Sequence, residues 1–317
     1  MATNDGSGPV TYDFDPELAP FVPRLRPLDY SDPVAARAAL RAVMARQPAY
    51  EAASRVTIVD RPIPGPPGAG PVTVRIYRPV DRPEPLPALI FPHWGGFVTG
   101  DLDTAQTFAS RIADQVGAVV VSPEYRLAPE HPFPAGLHDC YAALEWTADR
   151  AVELGVEPHR IGVGGFSAGG GLAAGVALLA RDRHGPRIAF LYLLFPQLDD
   201  RLATVSARSF VDTPMLDRTA LTLCWRHYLG AGPPSEYAAP ARAVDISGLP
   251  PAFVGVCEYD PLRDEGISFA HRLIRAGVKT EIVHYLGTFH ASIGLAHAAV
   301  SQRMVRDQIA ALRHGLR

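Results

Sequence analysis

The chain has 317 residues, 47% of them apolar and 20% charged, with a net charge of −3. That composition gives a globular protein ample material for a core, and mild acidity without a basic run excludes nucleic acid as a partner. Three cysteines (Cys140, Cys224, Cys257) are odd in number and lack Cys-x-x-Cys spacing, which argues against zinc and a disulfide framework and for buried thiols in a cytoplasmic protein.

From Met1 to about Leu28 the chain is rich in Gly, Pro and acidic residues and reads as an arm without a core of its own. It has neither the charge pattern of a signal peptide nor, anywhere later, an apolar run long enough to span a membrane. Asp32-Pro33 then opens a helix as N-cap and first helical residue, running to Arg46. Alternating segments at Arg55–Val59 and Val72–Tyr77, separated by the Pro/Gly stretch 62–71, predict a hairpin.

Beyond the hairpin, apolar runs alternate with helical patterns. Buried strands are predicted at Leu86–Phe91, Ala118–Ser122, Ile161–Gly165, Ile188–Phe195, Ala252–Cys257 and Thr280–His284. Helices are predicted near Ala105–Gln115, Leu137–Leu154, Gly169–Arg181, Arg263–Arg275 and His297–Arg313. This alternation specifies an α/β fold, a mostly parallel central sheet with helices on both faces. The segment at about 199–232 breaks the rhythm and carries its own helix, Asp217–Tyr228. The expected organisation is an N-terminal arm and cap helix at 1–50, then a catalytic domain at 51–317 with a cap insertion at 199–232.

The most informative motif is Gly165-Phe166-Ser167-Ala168-Gly169, placed between a strand and a helix. A nucleophile at such a turn has strained backbone angles, and flanking glycines let neighbouring backbone approach. A serine hydroxyl needs a base, and the base needs an acid to orient it, in the chain order Ser, Asp or Glu, His. Asp260 follows the strand Ala252–Cys257, and His290 follows the strand Thr280–His284. Competing acids are Glu258, Asp264, Asp199 and Asp200; Asp260 is preferred because it alone lies on the loop beside the histidine loop. His284 is read as packing in a strand. After the strand Leu86–Phe91, the adjacent glycines of Pro92-His93-Trp94-Gly95-Gly96-Phe97 let two N–H groups converge on one point. With the N–H of Ala168 they make three oxyanion donors.

Together these blocks resemble the hormone-sensitive-lipase-like branch of the α/β-hydrolase esterases, bacterial family IV. The resemblance rests on 165–170, on His93-Trp94-Gly95-Gly96, and on Tyr125-Arg126-Leu127-Ala128-Pro129-Glu130. It rests also on Asp260-Pro261-Leu262-Arg263-Asp264-Glu265 and on Phe289-His290. It implies an α/β-hydrolase fold with a helical cap and a triad of Ser167, Asp260 and His290. It further implies oxyanion donors at Gly95, Gly96 and Ala168, no metal or cofactor, and a homodimer through the last strands. Trp94 stands where the family has the first glycine of its His-Gly-Gly-Gly block, Phe166 replaces a polar residue, and Ala291-Ser292 replaces Gly-Phe. Trp94, Phe97 and Phe166 are therefore candidates for the substrate pocket. The expected activity is hydrolysis of small soluble esters with acyl groups of two to six carbons. Amidase, deacetylase or acyltransferase chemistry uses the same groups, and a ligand-binding protein on this fold is the alternative of another class.

Overall fold

The computed structural model describes residues 11–46 and 50–317. A helix α1 (Pro33–Met44) starts where predicted, with the Asp32 carboxylate accepting from the N–H groups of Val34 and Ala35. Strands β1 (Val56–Ile63) and β2 (Val72–Pro79) pair antiparallel from Val56↔Pro79 to Ile63↔Val72. The hairpin is longer than expected because Pro62 is tolerated on an edge strand, where no ladder N–H is needed on the solvent side.

Then follow β3 (Leu86–Ile90), α2 (Leu102–Val116), β4 (Val119–Pro123), α3 (Ala135–Asp149), β5 (Val156–Phe166), α4 (Ser167–Asp182) and β6 (Leu191–Leu194). The chain continues with α5 (Val205–Ser209), α6 (Arg218–Leu229), β7 (Ala252–Tyr259), α7 (Arg263–Arg275), β8 (Thr280–Phe289) and α8 (Ala299–Gly315). Helix α2 is held at its N-terminus by a reciprocal cap between Asp101 and Thr104 and ends at Gly117 with φ 77°. Strand β6 is shorter than its apolar run at both ends, and the chain turns at Phe195, which has φ 37°. Strand β8 is longer than expected and delivers the chain directly to His290.

Among the described residues the eight strands form one sheet in the order β1-β2-β4-β3-β5-β6-β7-β8, parallel from β4 onward. Side chains alternate across it. Ala88, Ile90, Val119, Val121, Val163 and Val254 join the core under α3, α4 and α7. Leu89, Val120, Tyr192, Leu194 and Phe253 join a second core under α2 and α8. The central strands β3, β4 and β6 are buried on both faces, as period-two alternation between two apolar layers requires, while the outer strands β1 and β8 keep one face partly exposed. The start of the N-terminal arm lies across the sheet's last strands, while Tyr30 and Ala36 further along join the first core. Asp15 N–H donates to Gly287 O at 2.9 Å, and Phe14 packs edge-on against Tyr259 and Phe289.

Candidate active site

The loops that follow β3, β5, β7 and β8 leave the same end of the parallel sheet, and they carry every residue singled out for chemistry. At the turn from β5 into α4, Ser167 has φ 52°, which a serine adopts only under constraint. Gly165 and Gly169 pack so closely that a Cβ on Gly165 would strike the Gly169 backbone, and one on Gly169 would strike Pro92 O. From the other side, Gln197 N–H donates to Ser167 O at 3.0 Å.

Ser167 Oγ lies 3.0 Å from His290 Nε2, and His290 Nδ1 lies 2.8 Å from Asp260 Oδ2. Asp260 is fully buried, and its other oxygen accepts from Leu262 N–H at 2.9 Å. A buried carboxylate facing Nδ1 requires the proton there, leaving the Nε2 lone pair toward the serine hydroxyl. Phe195 packs edge-on against the imidazole at 4.9 Å and keeps the ring from rotating away.

The competing carboxylates are all engaged elsewhere. Asp199 pairs with Arg201, Asp200 with Arg242, and Asp264 accepts from Ser206 N–H and pairs with Arg263. Glu258 accepts from Gly287 N–H and so ties β7 to β8. His284, read from the sequence as packing, is instead exposed on β8.

After β3 the chain reverses through Gly95 (φ 130°) and Gly96 (φ 63°), and Val98 and Thr99 N–H groups close the turn on Gly95 O. The N–H groups of Gly95, Gly96 and Ala168 have no acceptor among the described residues. A fixed turn with free donors is what an oxyanion site needs. The loop is held from beneath by His93, which entered the sequence analysis only as part of its motif. Its imidazole is fully buried, stacks on Tyr125 at 4.1 Å, and donates from Nδ1 to Trp94 O at 3.0 Å, while Tyr125 OH donates to His93 O. Burial pushes its pKa down to about 4, so it is neutral, and its Nε2 has no partner.

Two contiguous lobes meet over Ser167 and His290, about 440 and 430 Å³ in volume. One is walled by Phe166, Phe195, Phe108, Ile293, Tyr50 and Arg111. The other is walled by Gly95, Gly96, Tyr30, Leu28, Leu216 and Leu295. Leu40 and Val43 of α1, Met215 and Trp94 border both. Trp94 stacks on Phe166 at 5.3 Å and meets Phe108 edge-on at 5.7 Å, so its indole is at once cavity wall and packing element. Phe97 departs from expectation and lines neither lobe. It is buried beneath α6, stacked on Tyr228 at 3.9 Å and tilted against Trp225. From the 199–232 segment Met215 and Leu216 reach the cleft, while α6 packs on the loop behind it. Arg111, Tyr50 and Met215 carried no signal in the sequence, because an amphipathic helix and a loop give no sign of which residues will face a cavity.

Among the described residues there is no cluster of metal-binding side chains and no helix long and apolar enough to cross a membrane. Residues 89–294 match the family described as alpha/beta hydrolase fold. Esterase LipI of Mycobacterium tuberculosis is 40% identical over 79% of this chain and 78% of its own length. Carboxylesterase NlhH of the same organism is 41% identical over 72% and 73%. Among solved structures, a bacterial heroin esterase superposes with a TM-score of 0.92 at 44% identity, covering 96% of this chain and 98% of that one.

Proposed function

Since the chain belongs to the hormone-sensitive-lipase-like esterases of the α/β-hydrolase family and is a carboxylesterase-type serine hydrolase, we propose that Ser167, His290 and Asp260 are its catalytic triad. The observation that carries this reading is the unbroken line of hydrogen bonds from Ser167 Oγ through the imidazole to the buried Asp260. Ser167 attacks the ester carbonyl as His290 Nε2 takes its proton, and Asp260 holds the tautomer and stabilises the imidazolium. The N–H groups of Gly95, Gly96 and Ala168 receive the developing oxyanion without reorganisation. His290 then protonates the leaving alcohol and activates the water that releases the acid from the acyl-enzyme. Helix α1 with the arm, and the 213–216 stretch, act as a cap over the cleft. Lobes of this size suit short acyl esters, about two to six carbons, rather than long-chain fat.

A fluorophosphonate probe tests the reading directly. The wild-type protein should be labelled at Ser167 and hydrolyse butyrate esters, while Ser167→Ala loses both and keeps its fold by circular dichroism. A folded wild type that resists the probe, or a Ser167→Ala variant that retains ester hydrolysis, overturns it.

A further inference from the structure

Arg111 stands on α2 one turn after Phe108, and both side chains wall the lobe that Phe166 and Phe195 share with the serine. Its guanidinium is half-buried, 5.0 Å from the centre of the Tyr50 ring and 5.5 Å from that of Phe108. Among the described residues it has no hydrogen-bond acceptor and no ion pair within 4.0 Å. Other half-buried arginines are matched: Arg126 with Asp139, Arg75 with Asp60, Arg242 with Asp200. Asp114, one turn along α2 and the natural partner for Arg111, is fully used by the Tyr50 hydroxyl, the Ala53 and Ser54 N–H groups and the Ser54 hydroxyl. Glu51 borders the same lobe but is exposed and does not pair with it.

A guanidinium stays charged at any working pH and offers five donors in a planar fork. Half-buried at the lobe wall and without a protein acceptor among the described residues, it has donors free to meet an anion. Two aromatic rings hold it in place at the lobe wall, where its fork can meet a two-pronged acceptor. We propose that Arg111 forms a carboxylate-binding subsite of the cleft, so that the preferred ester carries a carboxylate on its acyl or its alcohol part. This rests on the hydrolase reading and adds a substrate class to it.

Two matched pairs separate the sources of the charge. On the acyl side, 4-nitrophenyl pentanoate is compared with the 4-nitrophenyl monoester of glutaric acid. On the alcohol side, 3-methylphenyl acetate is compared with 3-acetoxybenzoate. In one pair the ratio of kcat/KM for the anionic over the neutral ester should fall about tenfold or more in Arg111→Met. Arg111→Lys should keep part of the preference, and added salt should weaken it. Equal loss on both members of each pair would make Arg111 a packing brace and overturn the subsite. So would ratios that Arg111→Met leaves unchanged in both pairs. Calorimetric binding of glutarate and 3-hydroxybenzoate to Ser167→Ala, with and without Arg111→Met, reads the subsite apart from turnover. Turnover of neutral esters with no Arg111-dependent preference or binding sinks the subsite and spares the hydrolase. Arg111-dependent binding without any turnover does the reverse.

Discussion

Each carboxylate near the histidine has a distinct task, and the tasks predict different mutational outcomes. Asp260→Asn removes the acceptor for His290 Nδ1–H and favours the wrong tautomer, so kcat should fall by about 10⁴ with the fold intact. Asp199→Asn and Asp200→Asn disturb ion pairs with Arg201 and Arg242, and each should leave kcat within about threefold. Asp264→Asn weakens the bond to Ser206 N–H and should cost about 1 kcal/mol of stability instead of activity. Steady-state kinetics beside urea denaturation separate the three patterns; inactivation by Asp264→Asn equal to that of Asp260→Asn, without unfolding, would reassign the acid. Trp94 is both cavity wall and packing element. Trp94→Gly should therefore lower stability by about 2 kcal/mol and shift preference toward bulkier esters. Its donors untouched, kcat on an acetate ester should stay within about tenfold, short of the roughly 10²–10³ lost with an oxyanion donor. Comparing kcat/KM on acetate, butyrate and a bulky aryl ester checks this, and a uniform loss would mean the indole only holds the loop.

At the scale of elements, the Gly95-Gly96 loop is a surface on which other segments rest. Helix α6 lies so close behind it that a Cβ on Gly96 would strike Cys224 Sγ, with Tyr30 of the arm next in line. Gly96 also has φ 63°, where any side chain is strained. Gly96→Ala should consequently displace the loop and lower kcat by about 10² or more. If the contact with α6 is the cause, Cys224→Ala in the same chain should recover about tenfold, the residue of the loss being backbone strain. Activity of the double variant no better than that of Gly96→Ala would assign the whole effect to φ. Most elements were legible in the sequence, since buried strands and amphipathic helices write different periods, but the five-residue α5 is too short to show one. Strand and helix ends were less so: β8 runs five residues past its apolar run, and β5 starts five residues before its own. Those extensions are set by ladder pairing with β7 and β3, a long-range interaction that leaves no local pattern. Phe97 was misplaced for the same kind of reason, because only the arrival of α6 decides which way that ring turns.

Across the whole molecule, the meeting of Ser167, Asp260 and His290 was readable because chain order along a parallel sheet dictates which loops share an end. The walls of the cleft were not, because they come from separate stretches of sequence. A second feature spread over the molecule is a pair of buried ionisable groups with opposite effects on stability. His93 is held neutral down to about pH 4, so the unfolded chain takes up a proton first and stability falls as pH drops from about 6.5 toward 4. Glu265, on α7, behaves in the reverse sense. Burial pushes its pKa well above the usual carboxylate range; Oε1 accepts from Leu198 and Asp199 N–H groups, and Oε2 has no partner. Above about pH 4.5 the unfolded chain loses this proton while the folded protein keeps it, so Glu265 costs stability as pH rises. Glu265→Gln keeps the acceptor for both N–H groups and cannot titrate. Its stability minus that of the wild type should be constant below pH 4.5 and climb above it, by at most about 1.4 kcal/mol per pH unit. Urea denaturation of both proteins at pH 4.5, 6 and 7.5 measures the slope, and the His93 contribution cancels because both chains carry it. A flat difference would mean that Glu265 is ionised in the fold.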